Sequence, residues 1–515
     1  MSPNEESPLL PSSSCSDDAQ KIGFNRVFLA AADESIVLST WSIIASQFRS
    51  LSRGSWLLVA YNFGYCVSLP VYGVLCELYG RKNVLLGSYA LFAVGSFACG
   101  ISNSLVQLVL ARVVAGISGG GMVSLVSIII TDLSPVDDVA LLRSYANVVN
   151  IAGRSLGPPL GGFLIDAIGW RSMFLGQLPL IIICLVIGLY GFPSSLNVKR
   201  ENYEADPECT SQSTFSHLDF SGLASFSVAT VLLLCLTQSW SATSNIAPAQ
   251  MTMFGLAFAA ASIAFVAVEA FWARNPLIPL RLMKTSLGGY CINQMLMMSS
   301  RSGLLSNLSP YLIRTENATD SYTSSTFTLA AVGVSIGGLM AGALIKRWKR
   351  YKAITAIAIC GAFMSYLLIF VRWRNGLSRW EILYLFPAGL FVGILFTSQF
   401  VGMALCVPRD DLAICITTYY LCQQLGNIIG PAANVTVVQR VFEGRMKTAL
   451  AGWKEQSYIG PILNNARFAQ NLPISAQRIV RQSYLDAFQF VPLISAVCSL
   501  IMLPIVLWLK EESID

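Results

Sequence analysis

Charge is what this sequence has least of. Only 12% of its 515 residues are Asp, Glu, Lys or Arg, against about 25% in an ordinary water-soluble protein. So few polar groups cannot cover the surface of a chain that must stay dissolved. Histidine occurs once, as His217, and the 13 cysteines include no C-x-x-C pair. The spacings of common zinc sites are therefore missing, and no metal is expected. Most cysteines stand inside apolar runs, among them Cys66, Cys99, Cys291 and Cys422, where Cys acts as a small hydrophobe. There is no G-x-x-x-x-G-K-S/T loop to cradle a nucleotide phosphate, which argues against ATP as the energy source. No hydrolytic constellation points to an enzyme, and neither a cofactor nor a nucleic-acid partner is expected. Residues 1–21 are polar and lack an apolar core, so no cleavable signal peptide is expected.

What the chain does have is 54% hydrophobic residues and a mean hydropathy of +0.60. A bilayer core of roughly 30 Å needs about 20 apolar helical residues per crossing, and such runs recur along the whole length. They predict helices near 24–46, 54–76, 84–102, 105–131, 145–165 and 173–193, then 219–239 and 251–273. Six more are expected near 287–312, 325–346, 352–371, 382–406, 413–439 and 487–509. The expected fold is thus an all-α membrane protein with fourteen crossings. Its parts are a tail (1–23), a six-helix bundle (24–193), a cytosolic linker (194–218) and two inserted helices (219–273). A second linker (274–286) and a second six-helix bundle (287–515) follow. Within the last, 440–486 is too polar to cross and reads as a large non-cytosolic loop with some amphipathic helix.

Positive charge orients the chain. With the amino terminus in the cytosol, the cytosolic links hold Arg81, Lys82, Arg143, Lys199, Arg200, Arg274, Arg281 and Lys284. They also hold the run Lys346, Arg347, Lys349, Arg350 and Lys352. The opposite links hold fewer, with 372–379 the weakest point of the pattern. The sequon Asn317-Ala318-Thr319 then faces away from the cytosol, where Asn317 is a glycosylation candidate. The tail reads Glu5-Glu6-Ser7-Pro8-Leu9-Leu10. That resembles an acidic dileucine signal, bound by adaptor proteins on the route to vacuoles or lysosomes; the alternative is a tail with no signal.

The two halves echo one another. Gly73 to Lys82 leaves the second helix much as Gly342 to Arg350 leaves the tenth, Pro135 recurs as Pro408, and Gly153-x-x-x-Gly157-Pro158 recurs as Gly426-x-x-x-Gly430-Pro431. These matches lie 269 to 273 residues apart, and repeated halves around a central site are the usual build of secondary transporters.

Several of these segments resemble motifs of the major facilitator superfamily. Residues 73–82 follow the family loop G-x-L-x-D-R-x-G-R-K at Gly73, Leu75, Gly80, Arg81 and Lys82, with Glu77 where Asp is usual and Leu78 in place of a basic residue. Leu110 to Gly116 resembles the fourth-helix motif around a buried arginine, here Arg112. Residues 153–162 match the antiporter motif G-x-x-x-G-P-x-x-G-G at Gly153, Gly157, Pro158, Gly161 and Gly162. Ala32-Asp33-Glu34-Ser35-Ile36-Val37 looks like the first-helix signature of the fourteen-helix drug:proton antiporters, and Gly169-Trp170-Arg171 extends the match. Within that group the chain looks most like fungal vacuolar basic amino acid transporters.

The resemblance implies proton-coupled antiport by alternating access, moving lysine, histidine and arginine into the vacuole, with residence in the vacuolar membrane. The alternatives are a multidrug or siderophore antiporter at the plasma membrane, and a transporter-like nutrient sensor that moves nothing. Asp33 stands about ten residues into the first expected helix, where a carboxylate is costly and marks function. Burial and a neighbouring cation act on it in opposite senses, so it can trade a proton for an ammonium or guanidinium. Arg112 can hold a coupling or substrate carboxylate, with Asp33 a candidate partner; Glu34, Arg154 and Arg301 are further intramembrane charges. Against each stands the bland reading of a fixed structural ion pair. Glu77 with Arg81 and Lys82 is expected to form a latch at the cytosolic end that breaks as the halves rock. The glycines with Pro158 let helices approach and kink. Asn62, Asn147, Asn150, Tyr290, Asn293, Gln294, Tyr419, Gln423 and Gln424 are cavity candidates or plain helix–helix contacts.

Overall fold

The computed structural model describes residues 14–133, 136–191, 220–239, 248–272, 278, 280–378, 380–407, 412–450 and 457–511. The candidate sorting residues Glu5, Leu9 and Leu10 and the linker residue His217 lie outside that set, as do the side chains of Glu77 and Asn147 and the surroundings of Gly73.

Helices account for nearly all of what is described. In the first half they are α1 (Ser14–Gln47), α2 (Trp56–Tyr79), α3 (Arg81–Ile101), α4 (Leu105–Leu133), α5 (Val136–Ile168), α6 (Trp170–Leu175) and α7 (Leu178–Gly191). Two follow between the halves, α8 (Phe220–Ser239) and α9 (Pro248–Ala267). The second half begins with the short α10 (Leu280–Met283) and contains α11 (Ser286–Glu316), α12 (Asp320–Trp348), α13 (Tyr351–Arg372), α14 (Leu385–Leu405) and α15 (Leu412–Ala449). It ends with α16 (Ile459–Asn464), α17 (Ile474–Phe488) and α18 (Phe490–Trp508).

Nine helical stretches among the described residues are long and apolar enough to cross a membrane by length and composition. The long helices α11 and α15 are not in that group, for a physical reason. They sit in the protein interior, where Ser, Asn and Gln side chains meet other helices instead of lipid; α11 buries Asn293, Gln294, Ser300, Ser302, Ser306 and Asn307 among others. A bilayer excludes unsatisfied polar groups only where it touches them.

Three expected boundaries differ. The first helix begins at Ser14, ten residues ahead of the apolar run, because hydropathy marks the crossing part of a helix and not its polar extension. The sixth expected helix is two pieces, broken at Gly176–Gln177. The helix expected over 413–439 runs on to Ala449 as α15; further along 440–486, Ile474–Phe488 is a helix with seven buried residues, in the segment read as loop with some amphipathic helix.

The halves are built alike. In the first, α1 packs on α5 and α2 on α4; in the second, α11 packs on α15 and α12 on α14. The paired glycine motifs make the first of these contacts possible. A Cβ on Gly157 would stand 2.8 Å from the Ala32 carbonyl oxygen, and one on Gly430 would stand 2.9 Å from Ser299 Cα. Small residues spaced by four let backbones meet at this range. Gly80 joins α2 to α3 at φ 79°, a conformation that costs a side-chain-bearing residue about 1 kcal/mol or more. The inserted helices α8 and α9 pack on each other, with Phe226 against Phe265 at 5.6 Å, and α8 touches α2 and α15.

Helix direction alternates, so the turns at Gly80 and Lys349–Arg350 share one end of the molecule, the near end. Arg53, Gly169, Asn317 and Gly376 share the other, the far end. Across the halves α5 packs on α12 and α2 on α15. Several hydrogen bonds seal the far end between them. Trp41 Nε1 donates to the Ser306 carbonyl at 2.9 Å, the Ser42 and Ser309 hydroxyls meet at 2.7 Å, and Ser52 donates to Asn464 Oδ1 at 2.8 Å. Gln439 donates to the Leu51 carbonyl at 3.2 Å, the Ala466 amide to Ser46 Oγ at 3.1 Å, and Ser321 to the Asp166 carboxylate.

Candidate functional site

Asp33 and Glu34 are neighbours on α1, and one helical step of about 100° sends them to different surroundings. Asp33 turns into the first half. Arg112 Nη1, carried by α4, donates to Asp33 Oδ2 at 2.7 Å, and Gln177 Nε2, from the break between α6 and α7, donates to Oδ1 at 3.3 Å. The Arg112 guanidinium also lies 4.5 Å from the ring centre of Tyr61 and 6.0 Å from that of Phe174. The two charged side chains are only 2% and 1% exposed. At such burial each charge depends on the other, and removing one partner costs about 3–5 kcal/mol.

Glu34 turns the opposite way. Arg154 Nη2 donates to Glu34 Oε2 at 2.9 Å, and Arg154 Nε donates to Asn150 Oδ1 at 3.0 Å. These two side chains are 26% and 21% exposed, because they line a central cavity between the halves. The cavity and the solvent space continuous with it contain ≈ 660 Å³ not filled by protein atoms. Its first-half wall is Glu34, Asn62, Arg112, Arg154 and Pro158; its second-half wall includes Arg301 and Asn427. Apolar side chains such as Leu38, Leu305 and Phe327 fill the rest. Glu34 lies seven residues along α1 from Trp41, about 10 Å of helix, so the cavity begins just on the near side of the seal.

The structure therefore gathers four of the five charged candidates around this cavity, and Asp33 stands behind Arg112 as the fifth. Arg301 differs from the other two arginines of the cavity, Arg112 and Arg154, which each hold a carboxylate. Among the described residues no carboxylate lies within ion-pair distance of it.

The antiporter-motif residues occupy three surroundings. Gly153 and Gly157 lie against α1, Gly161 meets Ile36, Gly162 crosses to Ser324 of α12, and Pro158 reaches the cavity. Of the expected latch, Gly80 makes its turn, Arg81 opens α3 at the near end, and Lys82 Nζ donates to the Leu189 carbonyl at 2.9 Å within the same half. Asn317 is exposed at the far end, where it caps α11 at φ 51° and accepts a hydrogen bond from Gln470 at 3.2 Å.

Among the uncharged candidates Asn62 lines the cavity, and beside it stands Asn427, which the sequence pattern does not single out. Gln294, Gln423 and Tyr419 instead bond to one another: Gln294 Nε2 donates to Gln423 at 3.0 Å and the Tyr419 hydroxyl donates to Gln294 Oε1 at 2.6 Å. Sequence reasoning missed Gln177, whose one signal is a lone amide beside a glycine inside an apolar run. It also missed the far-end seal, because serine and tryptophan in an apolar helix carry no mark of their partners.

Comparison with known proteins sets these features in a lineage. Relatives include a vacuolar membrane amino acid uptake transporter, fnx2, of Schizosaccharomyces pombe, 30% identical over 472 residues, which cover 90% of this chain and 78% of that protein. Vacuolar basic amino acid transporter 1 of Saccharomyces cerevisiae is 24% identical over 442 residues, covering 80% of this chain and 75% of its own length. Multidrug resistance protein fnx1 of Schizosaccharomyces pombe is 26% identical over 493 residues, covering 90% and 86%. The family model described as Major Facilitator Superfamily matches residues 26–431, a span that contains both halves' glycine motifs and every charged residue of the cavity. This chain is accordingly a multi-pass membrane transporter of small molecules and belongs to the major facilitator superfamily.

Proposed function

We propose that the protein exchanges protons for basic amino acids, carrying lysine, histidine and arginine from the cytosol into the vacuole. The observation that carries this reading is the pair of adjacent carboxylates on α1, one sealed against Arg112 and the other open to the cavity beside Arg154. The sealed group suits the proton. Asp33 is held by Arg112 in this state, and in the proposed exchange a proton arriving from the other face takes the place of that cation. The open group suits the substrate, because Glu34 offers an ammonium or guanidinium the charge that Arg154 now neutralises.

A pH step of about two units is worth ~2.7 kcal/mol, enough for roughly hundredfold accumulation by one-for-one exchange. In the proposed topology of fourteen crossings the near end faces the cytosol, so the sealed far end is that of a cytosol-facing state awaiting cargo. The names of the vacuolar relatives support both the substrate class and the membrane.

A second reading has its own support in the multidrug relative: proton-driven export of organic cations at the plasma membrane. One experiment separates the two. Vacuolar vesicles from cells expressing or lacking the protein are energised with ATP and supplied with labelled lysine, histidine or arginine, or with a cationic dye. Protein-dependent uptake of the amino acids, abolished by a protonophore, is expected. Uptake of the dye alone would replace this reading with the second.

A further inference from the structure

Three arginines, Arg112, Arg154 and Arg301, line the central cavity. Two of them have a carboxylate in hand: Arg112 holds Asp33 at 2.7 Å and Arg154 holds Glu34 at 2.9 Å. Arg301, on α11, has none among the described residues. It stands at the boundary between the cavity and a second, apolar slot lined by Leu304, Ala330 and Val392. A guanidinium cannot shed its proton at any accessible pH, and an uncompensated charge inside a membrane protein is expensive unless an anion joins it in some working state. Glu34 across the cavity is the carboxylate whose field reaches Arg301, but it is already held by Arg154 and makes no ion pair with Arg301.

We infer that Arg301 is the anchor for the α-carboxylate of the transported amino acid, and that Glu34, on the opposite wall, receives its ammonium. Planar guanidinium against carboxylate is the pairing that gives two parallel hydrogen bonds. Asn62 adds a neutral acceptor on the Glu34 side: it is 6% exposed, lines the same cavity, and its Oδ1 has no hydrogen-bond partner. The substrate then spans the halves, its acid end on α11 and its basic end on α1. It links the two walls that must move relative to each other. The same geometry sets specificity, because a cation without a carboxylate leaves Arg301 unmatched and a neutral site cannot make up the difference.

This inference rests on the basic amino acid reading above, and the test separates the two. Cadaverine is lysine without its carboxylate, with the same chain and both ammonium groups. In proteoliposomes holding the full-length protein, uptake of labelled lysine should be inhibited by arginine, and a hundredfold excess of cadaverine should leave it nearly untouched. Arg301→Gln should raise the lysine KM by roughly two orders of magnitude, the loss expected for a charge-assisted pair, with maximal rate much less affected. It should also bring lysine and cadaverine to similar, weak inhibition, and Arg301→Lys should recover part of the lysine affinity. Equal inhibition by cadaverine and arginine in the unaltered protein would overturn the role of Arg301 while leaving amino acid transport standing, a result that needs no variant to fold. Absence of lysine, histidine and arginine uptake by the unaltered protein would overturn both.

Discussion

Asp33 and Glu34 show how much one residue of register decides. Asp33 is closed off with Arg112 and Gln177, while Glu34 meets the cavity with Arg154. Their roles should therefore separate on substitution. Asp33→Asn should bring lysine-driven proton release from acidified vesicles down to background. Glu34→Gln should leave proton release detectable at high lysine but weaken apparent affinity about tenfold or more, as loss of a charged hydrogen bond does. Asp33→Asn also strands the Arg112 charge and should destabilise the protein by about 3–5 kcal/mol. Adding Arg112→Gln should restore part of the melting temperature and none of the coupling. Undiminished proton release in Asp33→Asn at normal abundance would remove this carboxylate from the mechanism.

At the same scale, the identity of the charged candidates was legible in the sequence, because an ionisable group in an apolar run has few explanations. Which wall each one faces was not. The pairing of Arg154 with Glu34, and the solitude of Arg301, depend on how α1, α5 and α11 are rotated against one another, and no local pattern encodes that rotation.

Between the helices, the glycine motifs do the positioning. Gly153 and Gly157 bring α5 against α1, and Gly426 and Gly430 bring α15 against α11, so the ionisable groups of α1 and α5 stand within hydrogen-bond reach. Gly157→Val would push a branched side chain into Ala32 and Ser35. Overpacking of this kind costs about 1–3 kcal/mol, and by separating α1 from α5 it should also break the Arg154–Glu34 contact and abolish uptake. The same change at Gly87, where an added Cβ meets nothing within 4 Å, should leave melting and uptake unchanged. Equal behaviour of the two variants would contradict the packing role.

The repeat of these motifs was readable as sequence, and so was the general helix plan. What hydropathy misplaced were features set by tertiary contact. The break at Gly176–Gln177 delivers an amide to Asp33, and the polar stretch beyond residue 440 continues α15 because Gln439, Phe442 and Met446 have buried places to go.

The molecule as a whole is two similar halves joined tightly at one end, with a charged cavity beneath the joint. Apart from Ser321 on the Asp166 carboxylate, the seal is made of neutral hydrogen bonds, among them Trp41 to Ser306, Ser42 to Ser309 and Ser52 to Asn464. Each is worth about 1 kcal/mol net, so a handful can close the far end without making it permanent. Alternating access requires that they break in every cycle. The most direct measurement is to make them unbreakable: in Ser42→Cys with Ser309→Cys, oxidation should join α1 to α11 across the seal, with each single cysteine variant as control. Lysine uptake into vesicles should stop on oxidation and return on reduction, in the double variant only. Uptake continuing at the unlocked rate in fully cross-linked protein would mean that the far end never opens, and the rocking of the two halves would have to be abandoned.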